Sequence, residues 1–332
     1  MSFLAVIPHI RVQGANLQTS GILLGGVPLV ASTMFAHALA RKLGVKDTGV
    51  IYIHHDRQDL GEILKDNYNR IFFHPAQRRG SAFINKNDYS SKNPNALSLQ
   101  PTASCHLHLS LVIRFDGRRR PRLADLQKLL MNSRFAGGQI TRYGEVEWAD
   151  DSEKSLKDVL SNTIKTGFVV LDRQDVLLAY QQSQNLNRLQ AFTRLLALTK
   201  DGLNHAFGEH HGLSFLSATN LGYALLEDPK TDRTGVRQAY TLEQAVIPTP
   251  HAYAEPLIGL VQYVSIRQLL NVANAQNSDN LDLYEEEQKP QQPPNLITEP
   301  LRQLSDNPQE LFWQYQWQTH DGGDVFLLRQ SI

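Results

Sequence analysis

Histidines are the residues of this sequence whose type and spacing first suggest chemistry. His54-His55 with Asp56, and the alternating pair His106 and His108, offer a general base, because imidazole titrates near neutral pH. His205, Glu209, His210 and His211 form the densest group, but they fall in no H-E-x-x-H or comparable ligand spacing, and no second cluster completes a site. The sequence carries no G-x-S-x-G elbow, no G-x-G-x-x-G turn and no G-x-x-x-x-G-K-[ST] loop. Two histidines alternating on a strand read better as a polar surface than as a catalytic pair. The expectation is a protein that is not an enzyme and needs no metal or cofactor.

Arginines offer the better chemistry. Between 112 and 142 stand eight basic residues (Arg114, Arg118, Arg119, Arg120, Arg122, Lys128, Arg134, Arg142) against Asp116 and Asp125. Between 56 and 104, Arg70, Arg78, Arg79, Lys86 and Lys92 are interleaved with Phe72, Phe73, Phe83 and Tyr89. Guanidinium and ammonium groups neutralise phosphates, and single-stranded bases stack on aromatic rings, so this composition points to nucleic acid. The whole chain of 332 residues has 33 Lys plus Arg and 33 Asp plus Glu, so bulk charge names no partner. The balancing acids gather at 145–153 and 279–287, which leaves room for a basic surface on a neutral protein.

Those residues need elements to hold them. Residues 3–12 read as a buried strand. The polar residues Gln13, Asn16, Gln18, Thr19 and Ser20 follow it, and Gly25, Gly26 and Pro28 break the chain before a helix. That helix puts Val30, Met34 and Ala38 on one flank and Phe35, Leu39 and Leu43 on the next, with Gly44 as its C-cap. A short strand is expected at 48–54, then a long excursion without regular periodicity at 56–104. Strict alternation at 105–115 makes the clearest strand, with leucines facing one way and His106, His108 and Ser110 the other. A helix at 123–132 precedes Gly137-Gly138, two glycines that suggest a backbone passing close to something.

The order strand, helix, strand, excursion, strand, helix, strand fits a ferredoxin-like or RRM-like unit. A second block begins with a strand at 166–171, capped into a helix by Asp172, and continues with one long helix at 186–207. Strands follow at 221–226, 255–264, 311–317 and 324–329, and a solvated, acidic, proline-containing segment lies at 274–297. Cys105 is the only cysteine, which excludes a disulfide framework and a thiolate metal site. With neither a signal-like leader nor an apolar run long enough to span a bilayer, the expected setting is cytoplasmic, with no membrane partner.

Several of these stretches together resemble a known family. Val-Ile-Pro-His-Ile-Arg-Val-Gln-Gly-Ala-Asn at 6–16, Gly-Val-Pro at 26–28 and Phe-Ala-His-Ala-Leu-Ala-Arg-Lys-Leu-Gly at 35–44 look like the opening of the second Csy protein of type I-F CRISPR surveillance complexes (Cascade). Gly14 stands where the family has an Asn, and Val27 where it has a Phe. His-Leu-His-Leu-Ser-Leu-Val at 106–112, Arg-Phe-Ala-Gly-Gly at 134–138 and Thr-Gly-Phe-Val-Val-Leu at 166–171 continue the likeness in the same order. It fades beyond Leu178, and the divergence suggests a variant I-F system.

The resemblance implies an α+β fold of the RAMP type, a modified RRM over 1–165 with a thumb-like excursion at 56–104. A helical segment at 172–210 and C-terminal strands would complete the fold within 166–332. It implies a non-catalytic subunit that holds the crRNA 5′ handle and caps the backbone RAMP subunits near the PAM duplex. By position, Arg11, Gln13, Asn16, Gly25, Gly26 and the 134–138 element, with Arg134, Gly137 and Gly138, would line the RNA. Composition adds Ser20, Arg78, Arg79, Phe83, Lys86, Arg118, Arg119, Arg120 and Arg142. Contact with target double-stranded DNA at the PAM is left open, and 186–207 is a candidate for it or for docking a partner. Two other readings stand beside this one: the repeated crRNA-binding backbone subunit, and an RNA-processing endonuclease on the same fold with His54, His55, His106 or His108 as base.

Overall fold

Branched and aromatic residues at 3–12 favour extended backbone, and the computed structural model makes them the first strand, β1 (Ser2–Asn16). The structure describes residues 1–78, 102–207, 213–226, 238–240, 246–248, 254–275, 307–320 and 323–330. After β1 come a small hairpin, β2 (Gln18–Ser20) and β3 (Leu23–Leu24), and helix α1 (Leu29–Leu43). Gly44 ends α1 with φ 70° and returns its N–H to the Ala40 carbonyl, as expected of a glycine at that position. Four strands follow: β4 (Lys46–Lys65), β5 (Ile71–Pro75), β6 (Gln77–Arg78) and β7 (Thr102–Asp116). Then come α2 (Leu123–Met131), β8 (Arg134–Phe135), β9 (Gly138–Arg142) and β10 (Glu147–Asp150).

Helix α3 (Glu153–Asp158) runs into a wider π-type turn at Val159–Ile164, and β11 (Phe168–Asp172) returns to the sheet. Helices α4 (Gln174–Ser183), α5 (Arg188–Ala197) and α6 (Lys200–Phe207) precede β12 (Leu216–Leu225). The remaining elements are β13 (Gln238–Tyr240), β14 (Val246–Pro248), β15 (Ala254–Ser265), α7 (Ile266–Ala275), β16 (Gln314–His320) and β17 (Gly323–Arg329).

Most of these strands share one antiparallel sheet in the order β16-β17-β12-β15-β11-β4-β7-β1-β9-β8. The chain is therefore α+β. Strands β9, β1, β7 and β4 are neighbours, and both α1 and α2 pack on one face of them through Phe35, Leu39, Leu126 and Leu130. Leu107, Leu109 and Leu111 face that layer, so the alternation read from the sequence is realised. On the opposite face Leu4, Val6, Ile51, Ile53 and Val112 are buried under Leu156, Leu160 and Ile164 of α3 and the π-type turn, together with Leu269 and Phe312. The second block joins the first edge to edge: Phe168 pairs with His54 and Val169 with Ile53.

Three sequence expectations are corrected. The second strand does not end at His54 but runs to Lys65, and its 56–60 stretch pairs with β7 as far as Leu60↔Ser104. Polar residues on both faces hid it, because this stretch has one face towards the open side of the sheet. The helix expected at 186–207 is two helices, broken where Leu198 turns extended (ψ 134°) and the Thr199 hydroxyl accepts the Gly202 N–H. Of the two flanks of α1, Phe35 and Leu39 are buried whereas Met34 is exposed. The remainder of the 56–104 excursion (79–101) and nearly all of the 274–297 segment lie outside the described residues.

Candidate nucleic-acid interface

Strand β1 carries the candidate interface, and its two faces differ. Ile10, Val12 and Ala15 point into the helix-covered core, while Arg11 and Gln13 are exposed on the other side. The neighbouring strand β9 brings Arg142 opposite Arg11 and Gln139 opposite Gln13. Arg11 and Arg142 are both exposed, and among the described residues neither has an acidic partner. Like charges placed directly across a strand pair repel, so an anion between them would be bound favourably.

At the end of β1 the chain turns into a cleft. The Asn16 N–H donates to the Ala136 carbonyl (2.7 Å), and its Oδ1 accepts the Gln18 N–H (3.0 Å). The 134–138 loop thereby closes against β1. Gly138 lies against the Ala15 amide and the Gln13 carbonyl, where an added Cβ would sit 2.6 and 2.7 Å away. Its close approach is to β1 itself, so Gly138 is a structural residue. Gly137, with φ 78° and open space around it, is the exposed one. The cleft encloses about 290 Å³ between Asn16, Gln18, Val30, Met34, Gly137 and Tyr223, which explains why the Met34 flank of α1 faces outwards.

The turn at 25–28 is held from both sides. Gly25 and Gly26 have φ 92° and 77°, and an added Cβ on Gly26 would meet the Ala218 carbonyl at 2.5 Å. The Thr219 hydroxyl donates to the Val27 carbonyl (2.6 Å), and Asn220 Nδ2 donates to the Thr19 carbonyl (3.1 Å). Arg57, locked by two bonds to Asp59 (2.7 and 3.2 Å), leans on the same turn, its Nη1 3.5 Å from the Gly26 carbonyl. Sequence reading missed Arg57, Asp59, Thr219 and Asn220; only β4 and β12 joining the sheet puts them there. Ser20 is buried, and its hydroxyl has no hydrogen-bond partner among the described residues.

The structure therefore brings together Arg11, Gln13, Asn16, Ser20, Gly25, Gly26, Arg134, Gly137, Gly138 and Arg142. It separates the 118–120 cluster from them. Asn16 pairs with Ser104, whereas Ser2 pairs with Asp116 just before the cluster, so about 40 Å of strand lies between. Arg120 is also engaged, with Asp150 (2.7 Å) and the Phe3 ring, while Arg118 and Arg119 remain exposed. Arg78 lies in β6, with its side chain outside the described set, and Arg79, Phe83, Lys86, Glu209, His210 and His211 lie outside the described residues.

Beside Arg11 on the same face are His9, His55 and His108. Burial lowers all three: His55 to about 3, with His108 and His9 adding to it, His108 to about 4, with Arg11 adding, and His9 by burial and Arg11. Burial and Arg57 bring His54 to about 4. All four are neutral at pH 7. Burial pushes the Cys105 thiol up to about 12, which leaves it inert.

A family model described as CRISPR-associated protein (Cas_Csy2) matches residues 5–323. The chain belongs to this family. Membership makes it a subunit of a type I-F Cascade, assembled with the other components of that complex. The Cas_Csy2 match begins inside β1 and ends where β17 starts, so it takes in every residue of the cleft. No curated protein matches the chain. Among the described residues, no helix of this Cas_Csy2 member is long and apolar enough to cross a membrane.

Proposed function

We propose that this chain is the non-catalytic Cascade subunit that holds the crRNA 5′ handle and caps the backbone RAMP subunits beside the PAM duplex. One observation carries the reading: the Arg11–Arg142 pair, without an acidic partner among the described residues, leads along β1 directly into the cleft beside Asn16. Phosphates would lie along the arginines and position the strand. Asn16, Gln18 and exposed backbone in the cleft would read a base edge. The antiparallel neighbours β9, β1, β7 and β4, with α1 and α2 on one face, support a RAMP-type modified RRM. On the opposite face, the half that α3, the π-type turn and α7 leave uncovered is the one that carries Arg11 and Gln13.

The endonuclease alternative is the weaker one, since imidazoles held near 3 and 4 are poor bases at pH 7. The experiment is co-purification with co-expressed crRNA, reading bound RNA, crosslinks and copy number. One copy per complex, crosslinked to the 5′ end through 11–16 and 134–142, is the expected result. Several copies along the spacer would assign the chain to the repeated backbone, and absence of bound RNA in the assembled complex would overturn both.

A further inference from the structure

The three histidines beside Arg11 are brought together by two matched irregularities in the sheet. Strand β1 shifts register between Ile7 and Ile10, and β4 shifts between His54 and Asp56. Both shifts fall opposite the same stretch of β7, since Ile7 pairs with Leu111, and Ile10 and His54 both pair with Leu109. Each inserts a residue and turns a histidine, His9 on one side and His55 on the other, towards His108 between them. His9 adopts φ 52°, a left-handed conformation that costs a non-glycine residue about 1 kcal/mol or more and persists where surrounding structure enforces it. Its N–H donates to the Ser110 hydroxyl (2.8 Å), which also lies 2.6 Å from Nε2 of His55.

We propose that His9, His55 and His108 form a binding site for a borderline transition-metal dication of the zinc class. One ring nitrogen from each lies within 4.8 Å of the others, and Nδ1 of His9 stands 3.3 Å from Nε2 of His108. Two nitrogens bound at about 2.0–2.1 Å in a tetrahedral site are separated by about 3.3 Å, so this edge already has the required length. The third ring needs to move in by no more than about 1.5 Å, a side-chain adjustment. Binding requires each ring to present a lone pair, so the proton on the His9–His108 contact moves to the outward nitrogen of whichever ring carries it. Three imidazoles without a thiolate or carboxylate suit zinc, nickel, cobalt or copper rather than magnesium or calcium. A metal bound through Nε2 of His55 replaces that nitrogen's contact with the Ser110 hydroxyl (2.6 Å). All three residues are partly exposed, so solvent can reach the group.

Arg11 opposes a dication here, so replacing it gives the opposite signs for metal and RNA. The site does not depend on the RNA reading. The test uses the full chain, and the assembled complex, stripped with chelator and titrated with Co2+ and then Zn2+. The expected result is one Co2+ per chain with visible bands of tetrahedral intensity, displaced by Zn2+. Affinity should fall at least tenfold in His9→Ala, His55→Gln or His108→Ala. His106→Ala, two residues along on the same face, should bind as wild type, and Arg11→Gln should bind several-fold tighter. Wild type that takes up less than a tenth of an equivalent would overturn the proposal, as would binding unchanged in His108→Ala with circular dichroism unaltered.

Discussion

One face of the sheet has two halves made from the same strands. Towards the Ser2 end, Leu4, Val6, Ile51, Ile53 and Val112 are sealed under α3, the π-type turn and α7. Towards the Asn16 end, His9, Arg11, Gln13, His55, His106 and His108 continue the same positions with no apolar cover among the described residues. The switch occurs within two to four residues on these three strands, from Val6 to His9, from Ile53 to His55 and from Val112 to His108. A sheet face is thus divided between burial and exposure by where the covering chain stops, and the strands record that limit in their alternation.

The largest test of this contrast is stability. Ile53→Ala in the sealed half should cost about 3 kcal/mol, whereas Gln13→Ala in the open half should stay within about 0.5 kcal/mol, both from urea denaturation. Equal losses would mean the open half is also core. Next comes affinity. Arg11→Gln with Arg142→Gln should weaken crRNA binding by roughly 10–100-fold and flatten the salt dependence by about 1.4 in log–log slope, the value for two single-strand phosphates. An unchanged slope would remove these arginines from the RNA path.

Asp172 tests the rim of the sealed half through pH. Burial pushes its carboxyl from 3.8 to about 6, against the N–H of Gln174 and the charge of Arg329, with Asp175 adding to the rise. Its stability contribution is whole below pH 4 and is lost as pH climbs through 6, because the unfolded carboxyl ionises first. Asp172→Asn should therefore gain on wild type between pH 4 and 6 and lead by about 1–2 kcal/mol at pH 7, in thermal melts across that range. A constant difference across pH would place the carboxylate in water. The smallest effect concerns the distant cluster: Arg118→Gln with Arg119→Gln should change crRNA affinity less than threefold. A larger loss would extend the RNA path along the full length of β1.

What the sequence made legible was periodic. The Leu107-Leu109-Leu111 alternation, the Phe35-Leu39 helix face and the Gly44 cap are local patterns, and each is found where it was expected. The glycine turn and the 134–138 loop both lie against the end of β1, through Gly25 N–H to the Leu17 carbonyl and Asn16 N–H to the Ala136 carbonyl. What stayed hidden depends on register between distant segments. His9, His55 and His108 look unrelated in sequence, and only two register shifts against β7 join them. Arg118 and Asn16 are both polar ends of strands, but antiparallel pairing sends them to opposite ends of the sheet. The break at Leu198–Thr199 was missed because a capping threonine inside an amphipathic run resembles any other polar position.

The pairing of β1 also bears on synthesis. Its hydrogen-bonding neighbours are β7, β9 and β10, whose pairings with it begin with Ser104 and run to Asp150. At roughly 5–20 residues per second, this apolar strand leaves the ribosome about 5–20 s before its first neighbour exists. The apolar segment 3–10 therefore stays unpaired in the nascent chain until those neighbours are made, and incorporation into the complex must follow translation through Asp150.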